Sequence, residues 1–354
     1  MRRTAPVIVG GGPAGATAAL ALAQAGVRAT VLERQRGFGD AICGGFLSWQ
    51  TLAQLAKLGV TPQGQPIHRV AIFANDRRAD ALLPGRAIGL SRHTLDTMLL
   101  QAANEAGARV ECGVSVKASE GATVQTSGGT VQAETLFVAT GKHDLRGIGR
   151  PRDSVDPTLG LRVRLPAHPA LAQLVGDAIE LHLFDRGYAG IVLQEDGSAN
   201  FCLAVRKSRL HEAGNAAALF AELGAGPLGE RLAFMPPAEP FDAIGAVPYG
   251  WRASDTSDGV WRLGDQAACI PSLAGEGIGI AIASGRLAAA QWLAGANSRA
   301  FQRGLARRTA RPVTAAHAFW RLAEHPPAAR VATRLLARVP ALAALGARLT
   351  RIGD

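Results

Sequence analysis

The sequence predicts an α/β protein in which a parallel-sheet nucleotide-binding domain carries an inserted antiparallel β-sheet and a helical C-terminal segment. Three observations support this fold class: a glycine-rich turn between a strand and a helix near the N-terminus, a second glycine-rich turn before a long apolar helix, and strand-like runs between them. The length of 354 residues suggests two domains at roughly 150 residues each. Hydrophobic residues at 48% and charged residues at 19% indicate a globular chain.

The first glycine-rich turn follows the β-branched run Val7–Val9 and has the spacing G-x-G-x-x-G. Gly10 permits a tight turn, Gly12 lets the backbone approach a pyrophosphate, and Gly15 lets the next helix pack on the strand. A second apolar strand ends at Glu33, whose carboxylate can accept hydrogen bonds from ribose hydroxyls. This predicts a Rossmann-type site for NAD or FAD rather than NADP, because the acid repels a 2′-phosphate. The motif alone does not choose between NAD and FAD.

Two further motifs decide between these dinucleotides. The stretch Trp261–Ala289 runs from an apolar strand into Gly264-Asp265 and then through Gly275-Glu276-Gly277 into a long helix. Between the two glycine-rich turns, Arg92 opens a helix and another strand ends at Thr140-Gly141. In this order the motifs resemble those of the p-hydroxybenzoate hydroxylase and geranylgeranyl reductase superfamily, whose members bind FAD.

The resemblance implies a role toward FAD for each motif. Asp265 would bind the ribityl chain, and the loop and helix start that follow would direct N–H groups at the pyrophosphate and at the N1–C2=O edge of the flavin. Arg92 would contact the phosphates or the ribityl chain, the alternative being an exposed first-turn residue. The predicted cofactor-binding residues are Gly10, Gly12, Pro13, Ala14, Gly15, Glu33, Arg34, Arg92, Thr140, Gly141, Gly264, Asp265, Gly275, Gly277 and Ile278.

Two features favour the geranylgeranyl reductase branch of this superfamily. The segment Ile42–Phe46 (ICGGF) resembles those reductases, which have a Cys-Gly pair on the loop beside the flavin ring. In the second motif, Glu276 stands where hydroxylases more often have glutamine. Cys43 is therefore a candidate catalytic residue, the alternative being a loop residue without a chemical role. Tyr188 is a second candidate, as a polar anchor for the substrate, and His143 is either a further anchor or a surface residue.

The resemblance implies an FAD-dependent oxidoreductase that acts on a hydrophobic unsaturated molecule of isoprenoid, acyl or polyketide type. The favoured reaction is C=C reduction by reduced flavin. One alternative is a flavin monooxygenase that hydroxylates an aromatic or polyketide substrate through a C4a-hydroperoxide; another is a non-catalytic flavin- or lipid-binding protein. Ala139-Thr140-Gly141 stands where aromatic hydroxylases have an Asp-Gly pair linked to NAD(P)H use, so the electron donor stays open between NAD(P)H and a separate reductase.

The four cysteines form no C-x-x-C pair, so the sequence predicts neither a metal site nor a redox dithiol. Cys112, Cys202 and Cys269 lie in apolar runs, which predicts that all three are buried. The motifs indicate no nucleic-acid partner.

The order of the motifs gives the domain plan. Residues 1–68, 87–155 and 249–298 are predicted to form a discontinuous FAD-binding domain. Residues 69–86 and 156–248 would form the substrate domain, an antiparallel sheet over the flavin. Residues 299–354 would form a helical segment with breaks at Pro312, Pro326 and Pro340.

This C-terminal segment carries nearly all of the net charge. Residues 299–354 contain eleven arginines and two acids, a net charge of +9 out of +10 for the whole chain. Arg330, Arg334 and Arg338 recur every four residues and form one helical stripe beside aliphatic side chains. Residues 326–354 are expected either to dock on the FAD-binding domain or to lie on an anionic membrane.

The residues Met1-Arg2-Arg3 before an apolar stretch resemble a short signal peptide. The glycines and Pro13 interrupt any apolar helical core there, and the nucleotide motif accounts for the same residues. The protein is therefore expected in the cytoplasm, peripheral at the membrane if its basic segment binds there.

Overall fold

The computed structural model of the chain describes residues 5–151, 154–236 and 241–353, so the segment that resembles a signal peptide lies outside the described residues. The described strands are β1 (Val7–Val9), β2 (Thr30–Glu33), β3 (Phe46–Leu47), β4 (Gln65–Ala74), β5 (Arg77–Gly89), β6 (Arg109–Cys112), β7 (Val116–Glu120), β8 (Thr123–Thr126), β9 (Gly129–Val131), β10 (Leu136–Val138), β11 (Thr158–Leu165), β12 (Ala178–Phe184), β13 (Gly187–Leu193), β14 (Ala199–Arg206), β15 (Asp242–Val247) and β16 (Val260–Arg262). The described α-helices are α1 (Pro13–Gln24), α2 (Trp49–Ala56), α3 (Arg92–Glu105), α4 (Pro169–Val175), α5 (Lys207–Ala213), α6 (Ala216–Leu223), α7 (Pro227–Leu232), α8 (Gly277–Leu293), α9 (Ser298–Arg308), α10 (Ala310–Ala323), α11 (Pro326–Arg338) and α12 (Ala341–Leu349).

A five-stranded parallel sheet has the order β16-β10-β1-β2-β6. Its central strands are short and apolar, as expected for parallel strands that helices cover on both faces. Helix α1 packs against both α3 and α8. Strands β1, β2, β10 and β16 end at the same edge of this sheet. Gly10 follows β1, Glu33 is the last residue of β2, Ala139 follows β10, and Gly264 lies two residues after β16. The carboxyl edge of a parallel sheet is where ligands bind in such folds, so the topology brings the distant motifs together.

The second sheet has eight strands in the order β15-β11-β14-β13-β12-β4-β5-β3. Its pairs are antiparallel except β4 and β12, which run parallel. No hairpin can join β4 to β12, since residues 75–177 separate them in sequence. Residues 69–86 and 156–248 thus meet in one sheet. Strands β7, β8 and β9 form a separate three-stranded sheet. The predicted fold class, a Rossmann-type domain with an inserted sheet and a helical C-terminal segment, is confirmed.

The C-terminal helices refine the sequence prediction. The break predicted at Pro312 falls at Thr309, between α9 and α10, because Pro312 lies in the first turn of α10, where its missing N–H would have no partner. Helices α11 and α12 pack on β4 and β5 of the eight-stranded sheet rather than on the parallel-sheet domain. Among the described residues, no helix is long and apolar enough to cross a membrane.

Candidate active site

One cavity of about 690 Å³ lies between the carboxyl edge of the parallel sheet and the face of the eight-stranded sheet. It is lined by every predicted site residue except Gly15. The predicted residues in its wall are Gly10, Gly12, Pro13, Ala14, Glu33, Arg34, Cys43, Arg92, Thr140, Gly141, Tyr188, Gly264, Asp265, Gly275, Gly277 and Ile278. His143 lines the same cavity.

Each of the three glycines of the first motif is required for a different structural reason. Gly10 has φ +102°, and a Cβ there would lie 2.5 Å from the carbonyl oxygen of Ala139. A Cβ on Gly15 would lie 1.9 Å from the carbonyl oxygen of Gly10, which explains why Gly15 faces the strand instead of the cavity. Gly12 has ordinary extended backbone, φ −69° and ψ −173°, and its absent side chain leaves space beside Arg92. Only Gly12 therefore owes its identity to the cavity.

Two helices begin at this cavity without a side-chain cap. Helix α1 has Gly12 at its N-cap and α8 has Glu276, and neither residue accepts a capping hydrogen bond through its side chain. The neighbouring helices α2 and α3 are capped by Ser48 and Ser91. The first N–H groups of α1 and α8 are thus available to an anion, and the helix dipoles add positive potential at the same places.

A buried carboxylate marks one end of the cavity. Glu33 is 8% exposed, and its Oε2 accepts a hydrogen bond of 2.7 Å from the N–H of Gly11. This contact fixes the acid at the end of β2, beside the glycine turn. Arg34 follows it on the surface, and its Nη2 lies 2.9 Å from Nε2 of His143. The pair closes this end of the cavity, where the motif predicts the adenosine.

Arg92 supplies a positive charge next to Gly12. Its guanidinium forms two hydrogen bonds with Asp96, at 2.8 and 2.6 Å, and Nη2 lies 3.4 Å from the position of a Cβ on Gly12. Burial acts to lower the pKa of Arg92, but Asp96 outweighs burial and raises the pKa above its usual range. Arg92 is therefore a fixed cation at the cavity wall and not an exposed first-turn residue.

A second cation, Lys142, was missed by the sequence analysis. Its Nζ donates to the carbonyl of Ile42 at 3.1 Å and lies 3.6 Å from Oδ2 of Asp265. Burial acts to lower the pKa of Lys142, and Asp265 together with the nearby cysteines outweighs it, so the pKa is raised. Fully buried Gln266 donates to the carbonyls of Gly141 and His143 and holds this loop against the second motif.

The loop that carries Cys43 is held by its backbone. The carbonyl oxygen of Cys43 accepts hydrogen bonds from Asn200 Nδ2 at 2.8 Å and from Cys202 Sγ at 2.9 Å. Asp40, earlier in the same loop, forms ion pairs with Arg162 and Arg164 of β11. The loop is thus fixed to the eight-stranded sheet, while the Cys43 side chain lies at the cavity between the two domains.

The prediction that three cysteines are buried is correct only for Cys269. Cys112 is exposed because it ends the edge strand β6, and Cys202 is partly exposed because it lines the cavity. Among the described residues, no group of histidine, cysteine or acidic side chains could hold a metal ion.

A polar cluster lies at the substrate side of the cavity. The hydroxyl of Tyr188 donates to Ser272 Oγ at 2.7 Å, and the hydroxyl of Tyr249 lies 2.6 Å from the same oxygen. These are the two tyrosines of the chain, and both rings meet Trp320 edge-on. Burial raises the pKa of both phenols well above the usual range, so both stay protonated at neutral pH. Tyr188 is a predicted candidate, whereas Tyr249 and Ser272 are not among the predicted residues; the rarity of tyrosine in this chain is a signal that could have indicated Tyr249.

Comparison with known proteins supports FAD as the cofactor. Residues 3–147 match a family model for an FAD binding domain. Digeranylgeranylglycerophospholipid reductase 1 of Methanopyrus kandleri is 29% identical over 308 residues, which are 80% of this chain and 78% of that protein. The chain is an FAD-dependent oxidoreductase. Its motifs resemble those of the p-hydroxybenzoate hydroxylase and geranylgeranyl reductase superfamily, and the curated relatives that it matches include reductases of that kind.

Solved structures share the fold of this oxidoreductase. A geranylgeranyl bacteriochlorophyll reductase-like protein from Thermoplasma acidophilum has a TM-score of 0.70 at 20% identity, over 99% of this chain and 93% of that one. PqsL, a probable FAD-dependent monooxygenase from Pseudomonas aeruginosa, has a TM-score of 0.72 at 17% identity, over 94% of this chain and 100% of that one. Both a reductase-like protein and a probable monooxygenase therefore have this architecture.

The described residues fit FAD. Glu33 lies at the predicted ribose position, Arg92 and the open start of α1 lie where a pyrophosphate would need positive charge, and α8 begins at the second glycine turn. A Cβ added to Gly277 or Gly141 would meet nothing within 4 Å, so these glycines leave a cradle in the wall. The contacts of individual residues with FAD stay predictions.

The first prediction separates cofactor binding from folding. Gly12→Val is expected to fold, because its backbone conformation suits any residue, but to place a side chain where the pyrophosphate must lie. Losing two charge-assisted hydrogen bonds, about 3 kcal/mol, weakens FAD binding roughly 100-fold. The measurement is an FAD titration of the apoprotein, with its thermal unfolding recorded beside it. Gly304→Val, where a Cβ meets nothing within 4 Å, is the control. Wild-type affinity in Gly12→Val would contradict the assignment.

The second prediction concerns Cys43. Cys43→Ala is expected to bind FAD as the wild type does, because the loop is held through the Cys43 carbonyl and not through its thiol. Turnover of substrate, or the position of the reacted atom in the product, is expected to change. Exposed Cys112→Ala is the matched control and should alter neither. If Cys43→Ala converts substrate with the same rate and the same product, Cys43 is a loop residue without a chemical role.

Proposed function

We propose that this oxidoreductase reduces a C=C bond of a hydrophobic, isoprenoid- or acyl-like substrate. The observation that carries the proposal is the composition of the cavity on the side of the eight-stranded sheet. Its wall there is mostly aliphatic, and the other residues are Phe46, Gly160, Gly190, the thiol of Cys202, the cluster of Tyr188, Tyr249 and Ser272, and the acid Asp242. The aliphatic residues are Leu161, Ile179, Leu181, Ile191, Val192, Leu203, Ala204, Ala243, Ile244, Val247 and Leu273.

Such a wall suits an extended hydrocarbon better than a polar aromatic acid. Binding pockets place a few polar groups among apolar ones, and the polar groups set the orientation of the ligand. Arg162, which could otherwise bind a substrate carboxylate, is 6% exposed and paired with Asp40 and Asp242. A hydrocarbon would lie along the sheet, with its polar or reacting part near the two tyrosines.

The chemistry that bound FAD supplies, once reduced, is transfer of a hydride to one carbon of the double bond. The other carbon then needs a proton. Tyr249 and Tyr188 both remain protonated at neutral pH and share the oxygen of Ser272. A proton given to the substrate by Tyr249 Oη would be replaced from Ser272 Oγ, that of Ser272 from Tyr188 Oη, and that of Tyr188 from solvent when the product leaves. The apolar wall excludes water and keeps the hydride from being lost to solvent.

The relatives support the same substrate class. Digeranylgeranylglycerophospholipid reductase 1 is by its name a reductase of an isoprenoid lipid, and the match covers 80% of the present chain. Hydroxylation remains the competing reaction, because PqsL has the same fold. In that case the substrate would gain one oxygen atom from O2 instead of two hydrogen atoms.

The third prediction tests the reaction directly. Holoenzyme is reduced with dithionite under argon and mixed with geranylgeranyl lipids. The molecular masses of the products are then determined by mass spectrometry. We expect a gain of two hydrogen atoms without O2. Tyr249→Phe should retain FAD but convert substrate roughly 100-fold more slowly, because proton donation contributes on that scale. A gain of one oxygen atom, seen only in air, would establish the monooxygenase instead.

We also propose that the surface of α11 and α12 contacts an anionic membrane. The helices dock through a narrow face that includes Ala329 and Thr333, each 1% exposed, and leave Val331 at 66%, Leu335 at 51% and Leu345 at 52% exposed. Arg330, Arg334, Arg338 and Arg348 are exposed beside these aliphatic residues, and no acid occurs between residues 325 and 353. Docking on the protein therefore leaves an amphipathic basic surface, which suits a lipid interface.

Peripheral binding would bring the enzyme to a substrate dissolved in the bilayer. Each arginine near an anionic surface contributes about 1 kcal/mol, so three of them account for roughly a 100-fold difference in affinity. A test of this surface should substitute its arginines and should not delete residues 326–354, because Ile352 near the end of the chain is 1% exposed and belongs to the protein's core.

The fourth prediction uses two variants with equal loss of charge. The triple change of Arg330, Arg334 and Arg338 to Gln is expected to abolish co-sedimentation with phosphatidylserine-containing vesicles at low salt. The same change of Arg307, Arg308 and Arg311, which are exposed on α9 and α10, is expected to leave it largely intact. Binding should also disappear at high salt and with pure phosphatidylcholine. Equal losses in both variants would mean that overall charge, and not this surface, binds the vesicles.

A further inference from the structure

The second glycine turn, Gly275-Glu276-Gly277, is bonded to Arg351 of the C-terminal segment on the side away from the cavity. Glu276 is fully buried, and its neighbours Gly275 and Gly277 line the cavity while its own side chain does not. Its Oε2 accepts a hydrogen bond of 2.8 Å from Arg351 Nη1, and its Oε1 accepts one of 3.1 Å from the N–H of Ile352. Arg351 also donates to the carbonyl of Ala274 at 2.8 Å.

The surroundings of Arg351 leave little freedom for this contact. The residue is 4% exposed, and its guanidinium lies over the ring of Trp49 at 5.2 Å and over that of Phe46 at 5.9 Å. Phe46 in turn packs on Gly275, where a Cβ would lie 2.9 Å from its ring. Arg351 thus connects the loop before α8 with the strand that follows the Cys43 loop.

We propose that Arg351 is a positioning residue for the flavin: by pairing with Glu276 it fixes residues 274–277 and the start of α8 at the cofactor. Burial raises the pKa of Glu276, whereas Arg351, the N–H of Ile352 and Ser48 act against that rise. An ionised Glu276 without a partner would add negative charge at the helix start that must face the flavin, and the loop would open to hydrate it. The inference rests on FAD binding and is independent of the reaction proposed above.

The test measures cofactor affinity and the flavin's environment in Arg351→Met. We expect FAD to bind the apoprotein about tenfold more weakly, which is 1.4 kcal/mol, and the visible circular dichroism of the bound flavin to change at saturating FAD. Arg351→Lys, which keeps the charge, should retain most of the wild-type spectrum. Arg348→Met, an exposed change three residues earlier, is the control and should leave affinity and spectrum unaltered.

A double change shows whether Arg351 acts through Glu276. Removing both charges of a buried pair is far less harmful than removing one, so Glu276→Gln/Arg351→Met should recover most of the FAD affinity and also serve if the single variant fails to fold. Two results would overturn the proposal. One is a lower melting temperature of Arg351→Met with unchanged FAD affinity and flavin spectrum, and the other is additive losses in the double variant.

Discussion

The close packing of α1 on α8 is the contact on which the site depends. A Cβ on Gly285 would lie 2.3 Å from the carbonyl oxygen of Ala14, so only glycine permits the two helices to approach this closely. The contact joins residues near the start of the chain to residues more than 250 positions later, and it brings two uncapped helix starts to one cavity. The regions predicted to bind the pyrophosphate and the flavin are therefore held together by direct helix packing, and the N-terminal ends of both helix dipoles lie at the same cavity.

The parts of the fold that could be predicted from the sequence are those with a local signal. The glycine spacing, the acid at the end of β2 and the apolar run of α8 each identify themselves within about 30 residues, and the structure has α1, β2 and α8 at these places. The exact position of a break in the tail has no such signal, because a proline ends the helix before it and also fits the first turn of the next one, so the break near Pro312 falls at Thr309.

The rest of the site depends on contacts between distant residues. Lys142 meets Asp265, and Tyr249 meets Ser272, only because two domains close over one cavity, so neither residue has a signal in its own segment. Cys202 was predicted to be buried because its neighbours are apolar, but β14 turns that side chain to the cavity instead. Sequence patterns report which face of a strand is apolar, and they do not report that a ligand will occupy the space beyond it.

The link between Glu276 and Arg351 has a consequence for how the protein is made. The two residues are 75 positions apart, so the ribosome delivers the acid well before the arginine that holds it. On the proposed role of Arg351, the loop before α8 gains its support only when the C-terminal helices are made, so full affinity for FAD is reached late in synthesis.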